Sequence, residues 1–268
     1  MSRKPRYTND QEHGHQLFIK PFAPKNDAQG FYLDTIREMT VTMCTGPAGT
    51  GKTYLATYVA LEALLNKDVD KIILTRPIVA CEDIGYLPGD MMEKIHPYLM
   101  PLFDAVESHV GPTKAKEMLN FGKIEVIPLA YMRGRSLNRA FILLDEAQNT
   151  TIEQMKMFLT RLGYDSKMVV NGDIGQSDLP KGMESGLKFA HDRLVGRDSE
   201  IGCVEFANRH IVRHPLIGRM LQHLDGPGEK VEREAPVTRE VRAPRESKAA
   251  LTEKPTRHSF YEPDSKAA

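Results

Sequence analysis

The sequence predicts an α/β fold with a doubly wound parallel sheet and a helical insertion. Continuous apolar runs alternate with segments of helical periodicity, as expected when helices cover both faces of a parallel sheet. A glycine-rich loop, GPAGTGKT, stands between a predicted strand and a predicted helix. At 268 residues the chain is long enough to bury the core of one large domain.

The predicted strands are short apolar runs bounded by polar or turn-forming residues. In chain order they are EMTVTMCT, KIILTRPIV, KIEVIPL, RAFILLDEA, KMVVNGD and GCVEFA. Helical spacing of apolar residues predicts helices at TYLATYVALEALLNK, TIEQMKMFLTRLG, GMESGLKFAHDRLVG and PLIGRMLQHL. Residues 90–121, between the second and third strands, hold two or three more helical segments, including MMEKIHPYLMPLFDAVESHV and TKAKEMLNF. These segments form the predicted insertion.

Composition divides the chain into three segments. Residues 1–16 are predicted to be a flexible leader, and residues 17–224 to be the folded domain. Residues 225–268 combine few large apolar side chains with scattered prolines and charges of both signs. Such a tail buries too little surface to offset its chain entropy, so it is predicted to be disordered.

The bulk composition excludes some classes of protein. Formal net charge is zero, so any nucleic-acid contact is expected at a local patch or in a channel between subunits. No apolar run reaches the ~18 residues of a membrane span, and the first residues lack the apolar core of a signal peptide. The cysteines, Cys44, Cys81 and Cys203, form no CxxC pair and no metal-ligand spacing. These features favour a cytoplasmic protein with free thiols and no membrane contact.

The glycine-rich loop matches the phosphate-binding pattern G-x-x-x-x-G-K-[ST] and has the required strand before it and helix after it. Its glycines allow backbone N–H groups to surround phosphates, and the helix N-terminus adds partial positive charge. Lys52 is expected to contact the β- and γ-phosphates and Thr53 to hold Mg²⁺. The predicted fold is therefore a P-loop NTPase of the RecA-like type. The nucleotide-binding residues are Gly46, Pro47, Ala48, Gly49, Thr50, Gly51, Lys52 and Thr53.

Two adjacent carboxylates follow the apolar strand FILL. Asp145 is the candidate Mg²⁺ ligand, and Glu146 is the candidate general base that polarises the attacking water. The alternative is a helix cap followed by a solvated glutamate. An acidic pair of this kind argues against a small-molecule kinase, in which a substrate hydroxyl takes the place of water. A GTPase is disfavoured, because NKDVD at residues 66–70 is not N-K-x-D.

A third strand ends in the polar sequence NGDIGQ. Asn171, Asp173 and Gln176 are candidates for sensing the γ-phosphate and transmitting its loss to a bound polymer. The G-D pair alone is a weak signal, because turns have the same composition. Its position after a phosphate loop and an acidic pair makes it more specific.

Taken together, these motifs resemble the PhoH-like proteins. GPAGTGKT, TRPIV, GYLPGD, MRGRSL, FILLDEAQNTT, QMKMFLTRLG, GDIGQSDLP and HIVRHPL carry the resemblance, which spans about residues 17–222. It implies a P-loop ATPase related in its core to superfamily 1 helicases, with ATP and Mg²⁺ as cofactors. It also implies ring-shaped hexamers and, in members that carry an added ribonuclease domain, an activity linked to RNA.

The resemblance assigns two glutamines. Gln176 matches the glutamine of the helicase-like GDxxQ motif, and Gln29 is similar to the glutamine that reads adenine in helicases. A glutamine amide offers both a donor and an acceptor to the adenine edge. The alternative for Gln29 is an ordinary surface polar residue.

Two arginines are candidates for stabilising charge in the transition state. The apolar stripe of TIEQMKMFLTRLG places Arg161 on the face opposite the core, where it can meet another subunit. Arg213 lies just before the helix predicted at Pro215, where it can reach the γ-phosphate of its own subunit. An ordinary solvated arginine or a structural ion pair is the alternative for each.

A basic cluster with an aromatic neighbour, YMRGRSLNR, is a candidate nucleic-acid contact. It contains Tyr131, Arg133, Arg135 and Arg139, and Arg76 in TRPIV is a weaker candidate. The cluster can equally be a loop that contacts ATP or a neighbouring subunit.

The sequence therefore favours a Mg²⁺-dependent ATPase coupled to single-stranded nucleic acid, RNA more than DNA, as a helicase-like motor in a ring hexamer. The first alternative is an ATP-dependent switch or remodeller that acts on a protein partner without nucleic acid. The second is a phosphotransferase acting on a small metabolite.

Overall fold

The computed structural model describes residues 18–78, 91–212, 216–217 and 220, and these contain a six-stranded, entirely parallel sheet. The strand order is β3-β2-β4-β5-β1-β6. The strands are β1 (Val41–Thr45), β2 (Lys71–Arg76), β3 (Ile124–Pro128), β4 (Ala140–Leu144), β5 (Lys167–Gly172) and β6 (Ile201–Glu205). All residues of β1 and β4 are buried, which explains the unbroken apolar sequence of β4 and the absence of charged residues from β1.

Helices cover both faces of the sheet. They are α1 (Asp27–Glu38), α2 (Lys52–Leu65), α3 (Met91–Val110), α4 (Pro112–Asn120), α5 (Ile152–Leu159) and α6 (Gly186–Leu194). The helices α1 to α4 share one hydrophobic cluster, and α5 and α6 share the other. Since the sheet has a core on each face, the fold is doubly wound.

The strand order decides which loops meet. β5 lies between β1 and β4, and β2 lies on the other side of β4. All strands are parallel, so the segments after β1, β2, β4 and β5 emerge at the same edge of the sheet. Ligands of open α/β sheets bind at this carboxyl edge.

The predicted α/β fold and its helical insertion are confirmed, with α3 and α4 lying between β2 and β3. The sequence analysis missed α1, whose N-cap is Asn26 and which buries Tyr32 and Ile36. Two predicted helices were too long, because α5 ends at Leu159 and α6 begins at Gly186. Most of the helix predicted over 215–224, the whole tail and the whole leader lie outside the described residues. No described helix is long and apolar enough to cross a membrane.

Candidate nucleotide-binding site

The predicted phosphate loop and the two carboxylates meet at the carboxyl edge of the sheet. Together they line one cavity of about 260 Å³. Its predicted members are Ala48, Gly49, Gly51, Lys52, Thr53, Asp145, Glu146, Asp173 and Gln176; Gln148 and Gly172 also line it. The strand order brings these residues together although long stretches of sequence separate them.

The phosphate loop depends on its glycines. Gly46 has a φ of +136°, and a Cβ there would lie 2.4 Å from the carbonyl oxygen of Phe206. Gly51, with a φ of +91°, directly precedes α2. The Lys52 ammonium donates to the carbonyl oxygens of Gly46 (2.6 Å) and Pro47 (3.0 Å), so it folds over the loop. A phosphate in the loop would compete with these two carbonyls for the ammonium.

Thr53 and Asp145 form the predicted metal-binding pair. The Thr53 hydroxyl donates to the Asp145 carboxylate at 2.8 Å. Thr53 lies after β1 and Asp145 after β4, and β5 lies between these two strands in the sheet. Asp145 is buried, and this burial raises the pKa of its carboxyl group; the Thr53 hydrogen bond opposes the shift and the neighbouring Glu146 adds to it. A buried carboxylate beside a hydroxyl is an oxygen donor set suited to Mg²⁺, which would also supply the missing positive charge.

The backbone of Glu146 departs from the extended conformation of β4, which ends two residues earlier. Its backbone is left-handed, with a φ of 52°, which is uncommon outside glycine. One carboxylate oxygen lies 3.2 Å from Nη2 of Arg76, the last residue of β2, and the other accepts a hydrogen bond from the Gln148 amide at 2.5 Å. Arg76 also donates to the carbonyl oxygen of Tyr98 in α3 at 3.3 Å. The candidate base is therefore tied to both neighbouring strands and, through Arg76, to the insertion.

Gln148 is a site residue that the sequence analysis missed. Its amide oxygen accepts the backbone N–H of Asp173 at 3.0 Å while its nitrogen donates to Glu146. Gly172 makes room for it, since a Cβ there would lie 2.7 Å from the Gln148 oxygen. The only sequence signal was its place in DEAQ, directly after the acidic pair and Ala147. Gln148 links the candidate base to the end of β5, where γ-phosphate sensing was predicted.

The two glutamines assigned by resemblance have different surroundings. Gln176 is exposed at the cavity, and its backbone N–H donates to Asp173. Gln29 is buried; its amide nitrogen donates to the Thr50 carbonyl at 2.9 Å and its oxygen accepts from the backbone N–H of Lys25 at 2.8 Å. In this structure Gln29 stabilises the phosphate loop through its hydrogen bond to Thr50. Its reading of adenine stays a prediction and would require these contacts to rearrange.

Arg161 lies beyond the end of α5, so helical spacing does not describe its direction. It is partly buried, and its guanidinium donates to the carbonyl oxygens of Met157 and Arg135, both at 3.1 Å. Its own carbonyl accepts from Leu137, just before β4, which places it at the end of the sheet opposite the phosphate loop. Arg213 lies outside the described residues, but the preceding Val212 donates its N–H to Gly49 of the loop at 2.9 Å.

The basic cluster crosses the sheet face from the carboxyl edge to the amino edge. Tyr131, half exposed, lies in a 3-10 helix that follows β3, and Arg133 is exposed beyond it. Arg135 pairs with Glu125 at 2.6 Å, and Arg139 pairs with Asp70 at 2.9 Å. Part of the cluster's charge is therefore neutralised within the chain.

Among solved structures, the Hef helicase domain of Pyrococcus furiosus is similar over 66% of this chain and 37% of its own, with 14% identity and a TM-score of 0.41. The Pif1 helicase of Candida albicans is similar over 76% of this chain and 44% of its own, with 15% identity and a TM-score of 0.39.

Relatives of known sequence are much closer. The PhoH-like protein of Bacillus subtilis is 49% identical over 207 residues, covering 77% of this chain and 65% of the relative. Protein PhoH of Escherichia coli K12 is 47% identical over 204 residues, covering 75% of this chain and 57% of the relative. The chain thus spans less than two thirds of the length of each. The family described as PhoH-like protein matches residues 21–225, and the chain belongs to this family.

Proposed function

We propose that this protein is a Mg²⁺-dependent ATPase that couples hydrolysis to single-stranded nucleic acid, RNA in preference to DNA. The observation that carries the proposal is the convergence of Lys52, Thr53, Asp145 and Glu146 on one cavity. These side chains supply what phosphoanhydride hydrolysis by water requires: a cation for the phosphates, oxygen ligands for a metal and a carboxylate base.

Each residue has a distinct part in the proposed reaction. Backbone N–H groups of the loop and the Lys52 ammonium hold the β- and γ-phosphates. Thr53 and Asp145 would hold Mg²⁺, and the ion would supply positive charge to the phosphate oxygens. Glu146 orients the attacking water and accepts its proton, and Gln148 keeps one oxygen of this carboxylate in place. Arg213 is proposed to contact the γ-phosphate in the same subunit.

We infer that Arg76 couples the polymer to hydrolysis. Its guanidinium is shared between Glu146 and the backbone of α3, so the base is held in an ion pair. A polymer phosphate that draws Arg76 away would release one carboxylate oxygen of Glu146 for water. Polymer contact through Arg76, Tyr131, Arg133 and Arg135 would then raise the rate of hydrolysis. A ring hexamer in the cytoplasm is the assembly that we propose for this activity.

A specific observation favours a second candidate, an ATP-dependent remodeller of a protein partner. The ion pairs of Arg135 with Glu125 and of Arg139 with Asp70 neutralise part of the basic cluster. A polymer-binding surface gains affinity from unpaired cations. Charge reversal at Arg133 would weaken a nucleic-acid motor and leave such a remodeller active.

The decisive experiment measures steady-state ATP hydrolysis by the wild-type protein alone, with single-stranded RNA and with single-stranded DNA. Lys52→Ala is the blank, with hydrolysis expected to fall by at least about 100-fold. The proposal expects stimulation by a polymer, with RNA above DNA, and no activity in the blank. Hydrolysis that neither polymer changes contradicts the coupling and favours the protein remodeller. Fast phosphate transfer to a small acceptor, with slow hydrolysis, contradicts both.

Arg76→Gln tests the coupling step separately. Removing the ion pair should raise the polymer-free rate about fivefold, the equivalent of about 1 kcal/mol. The added polymer should then stimulate little. A variant with a lower basal rate and normal stimulation would show that Arg76 serves catalysis instead. Arg133→Gln is the control for the polymer-free rate. It removes another proposed polymer contact, an exposed arginine with no described contact to Glu146, so it should weaken stimulation and leave the polymer-free rate unchanged.

A further inference from the structure

A second group of chemically reactive side chains lies at the edge of the sheet, apart from the nucleotide cavity. His191 on α6 meets Cys203 and Glu205 on β6, the edge strand. One donor atom from each of the three residues lies within 4.8 Å of the other two. The nucleotide site uses none of these residues.

The fold places the three side chains on one side of β6. Alternate residues of a strand share a face, and Ile201, Cys203 and Glu205 follow this period. Ile201 packs into the core cluster that contains Leu187 and Ala190 of α6. The same helix face carries His191 about one turn further along. The packing of α6 on β6 therefore brings an imidazole, a thiol and a carboxylate close together.

The distances suit a tetrahedral metal ion. The His191 Nε2 atom lies 3.4 Å from Cys203 Sγ and 3.4 Å from a Glu205 carboxylate oxygen. Around tetrahedral zinc, the bond lengths to sulfur, nitrogen and oxygen separate S from N by about 3.5 Å and N from O by about 3.3 Å. The two separations from His191 are thus already close to those that the ion requires, and the sulfur and the carboxylate oxygen lie within 4.8 Å of each other.

An outer carboxylate completes the arrangement. Oδ1 of Asp192 lies 3.6 Å from Nδ1 of His191, the ring nitrogen that faces away from the cluster. Metal-binding histidines commonly pair this second nitrogen with a carboxylate, which orients the ring and makes the ligand more basic. The Cys203 thiol is half-buried, and Glu205 is exposed, so one side of the group stays open to water.

We propose that His191, Cys203 and Glu205 bind one zinc ion, with water in the fourth position. The mixed sulfur, nitrogen and oxygen set favours a borderline-soft divalent metal over Mg²⁺ or Ca²⁺. The bound ion fastens the edge strand β6 to α6. In sequence the ligands are separated as His-x₁₁-Cys-x-Glu, which matches no short metal motif.

The test is titration of the full-length, tag-free protein with Zn²⁺ and with Co²⁺ as a spectroscopic probe. The proposal expects one equivalent of tightly bound zinc and a rise in Tm of about 5 °C at saturating metal. Co²⁺ should give a thiolate charge-transfer band in the near ultraviolet and the intense visible bands of tetrahedral cobalt. Cys203→Ser should lose the thiolate band, and His191→Gln should lose the tetrahedral bands. Each variant should bind zinc at least tenfold more weakly than the wild type.

Matched controls separate this site from other thiols and imidazoles. Cys81→Ser and His96→Gln, the latter an exposed residue of α3, should retain the bands and the stoichiometry. The metal-free variants are compared with the wild type by circular dichroism and Tm, so that lost binding is not confused with lost folding. Absence of stoichiometric binding overturns the proposal. Retention of the bands in folded Cys203→Ser overturns it as well.

Discussion

At the scale of single residues, the site depends on a few side chains whose surroundings change their chemistry. In the protein without nucleotide, the burial of Asp145 conflicts with its proposed role as an ionised metal ligand. Its carboxylate is buried against the phosphate loop, which raises its pKa and makes the ionised form costly. The same carboxylate is the proposed metal ligand. Metal binding would remove this conflict, since the ion supplies the opposite charge.

Asp145→Asn should therefore abolish hydrolysis and stabilise the metal-free protein. The asparagine keeps an oxygen to accept the Thr53 hydroxyl and removes the buried charge. A gain in Tm of about 2–4 °C at neutral pH is expected, the shift that each 1 kcal/mol gives in a domain of this size. Differential scanning calorimetry without metal or nucleotide measures it.

The sign of the pH dependence provides a second check on Asp145. Because its folded-state pKa is raised, the ionised carboxylate costs stability above the unfolded value, and protonation relieves this cost as pH falls. The advantage of Asp145→Asn should thus be largest at neutral pH and vanish in acid. Thr53→Val, which removes the hydroxyl and keeps the carboxylate, should show no such gain. Equal stability of Asp145→Asn and the wild type at all pH values would contradict the buried-charge account.

At the scale of elements, α1 and α3 do more than cover the sheet. α1 carries Gln29, which holds the phosphate loop, and Tyr32, whose hydroxyl donates to Asn171 of β5 at 2.5 Å. α3 contacts Arg76 through the carbonyl oxygen of Tyr98. Thus α1 contacts the phosphate loop and β5, and α3 contacts the last residue of β2. The insertion is therefore placed to affect the proposed hydrolysis through its contact with Arg76.

The packing of α3 on α2 should be sensitive to acid. His109, near the end of α3, is fully buried; Nε2 lies 2.9 Å from the Tyr54 carbonyl oxygen, and the ring stacks on Tyr54. Burial lowers the pKa of His109, the hydrogen bond to Tyr54 opposes this, and Lys20 adds to it. A depressed folded-state pKa means that stability falls as pH drops below the unfolded value of about 6.5.

His109→Phe should remove this acid sensitivity. The variant loses a hydrogen bond at pH 7.5, at a cost of about 1 kcal/mol. Between pH 7.5 and pH 5 it should lose less stability than the wild type, because no buried ring becomes charged. Urea unfolding at the two pH values measures the difference. His96→Gln, an exposed change on the same helix, should behave like the wild type; an unchanged pH response in His109→Phe would refute the assignment.

At the scale of the whole molecule, the position of Arg161 decides how it can act. It lies at the amino edge of the sheet, whereas the phosphate loop lies at the carboxyl edge. It cannot complete the site of its own subunit. The proposed ring hexamer would bring Arg161 of one subunit to the nucleotide of the next, which is the only catalytic role that this position allows.

Subunit mixing tests this role. Arg161→Ala should lower hydrolysis by about 1,000-fold if the residue acts as an arginine finger. An equal mixture of Arg161→Ala and Lys52→Ala subunits should regain activity at about one quarter of the sites, because each competent site takes one intact half from each variant. Light scattering checks that mixed oligomers form.

The control mixes Lys52→Ala with Glu146→Gln, two residues that line the same cavity of one subunit. That mixture should stay inactive. Mixed oligomers of the first pair that regain nothing, or a protein that is monomeric with full activity, would contradict the trans role of Arg161.

The sequence alone determined the features that depend on local pattern. Buried parallel strands are rich in apolar and β-branched residues, so β1, β4 and β5 were predicted where they lie. The phosphate loop was equally clear, because its conformation requires glycines and a lysine at fixed spacing. Local pattern was less informative for α1, a helix of mixed polar and apolar composition with Gly30 near its start, and for the ends of α5 and α6.

Only the tertiary structure decided the relations between distant segments. Arg76, Glu146, Gln148 and Asp173 form one chain of contacts because β2, β4 and β5 are neighbours in the sheet, an order that no local pattern specifies. The approach of His191 to Cys203 has the same origin, in the packing of a helix on an edge strand. Strand order and helix packing arise from the burial of apolar surface over the whole domain. The candidate residues with a motif are therefore predictable from sequence, while Gln148 and the contacts among these residues follow from the fold.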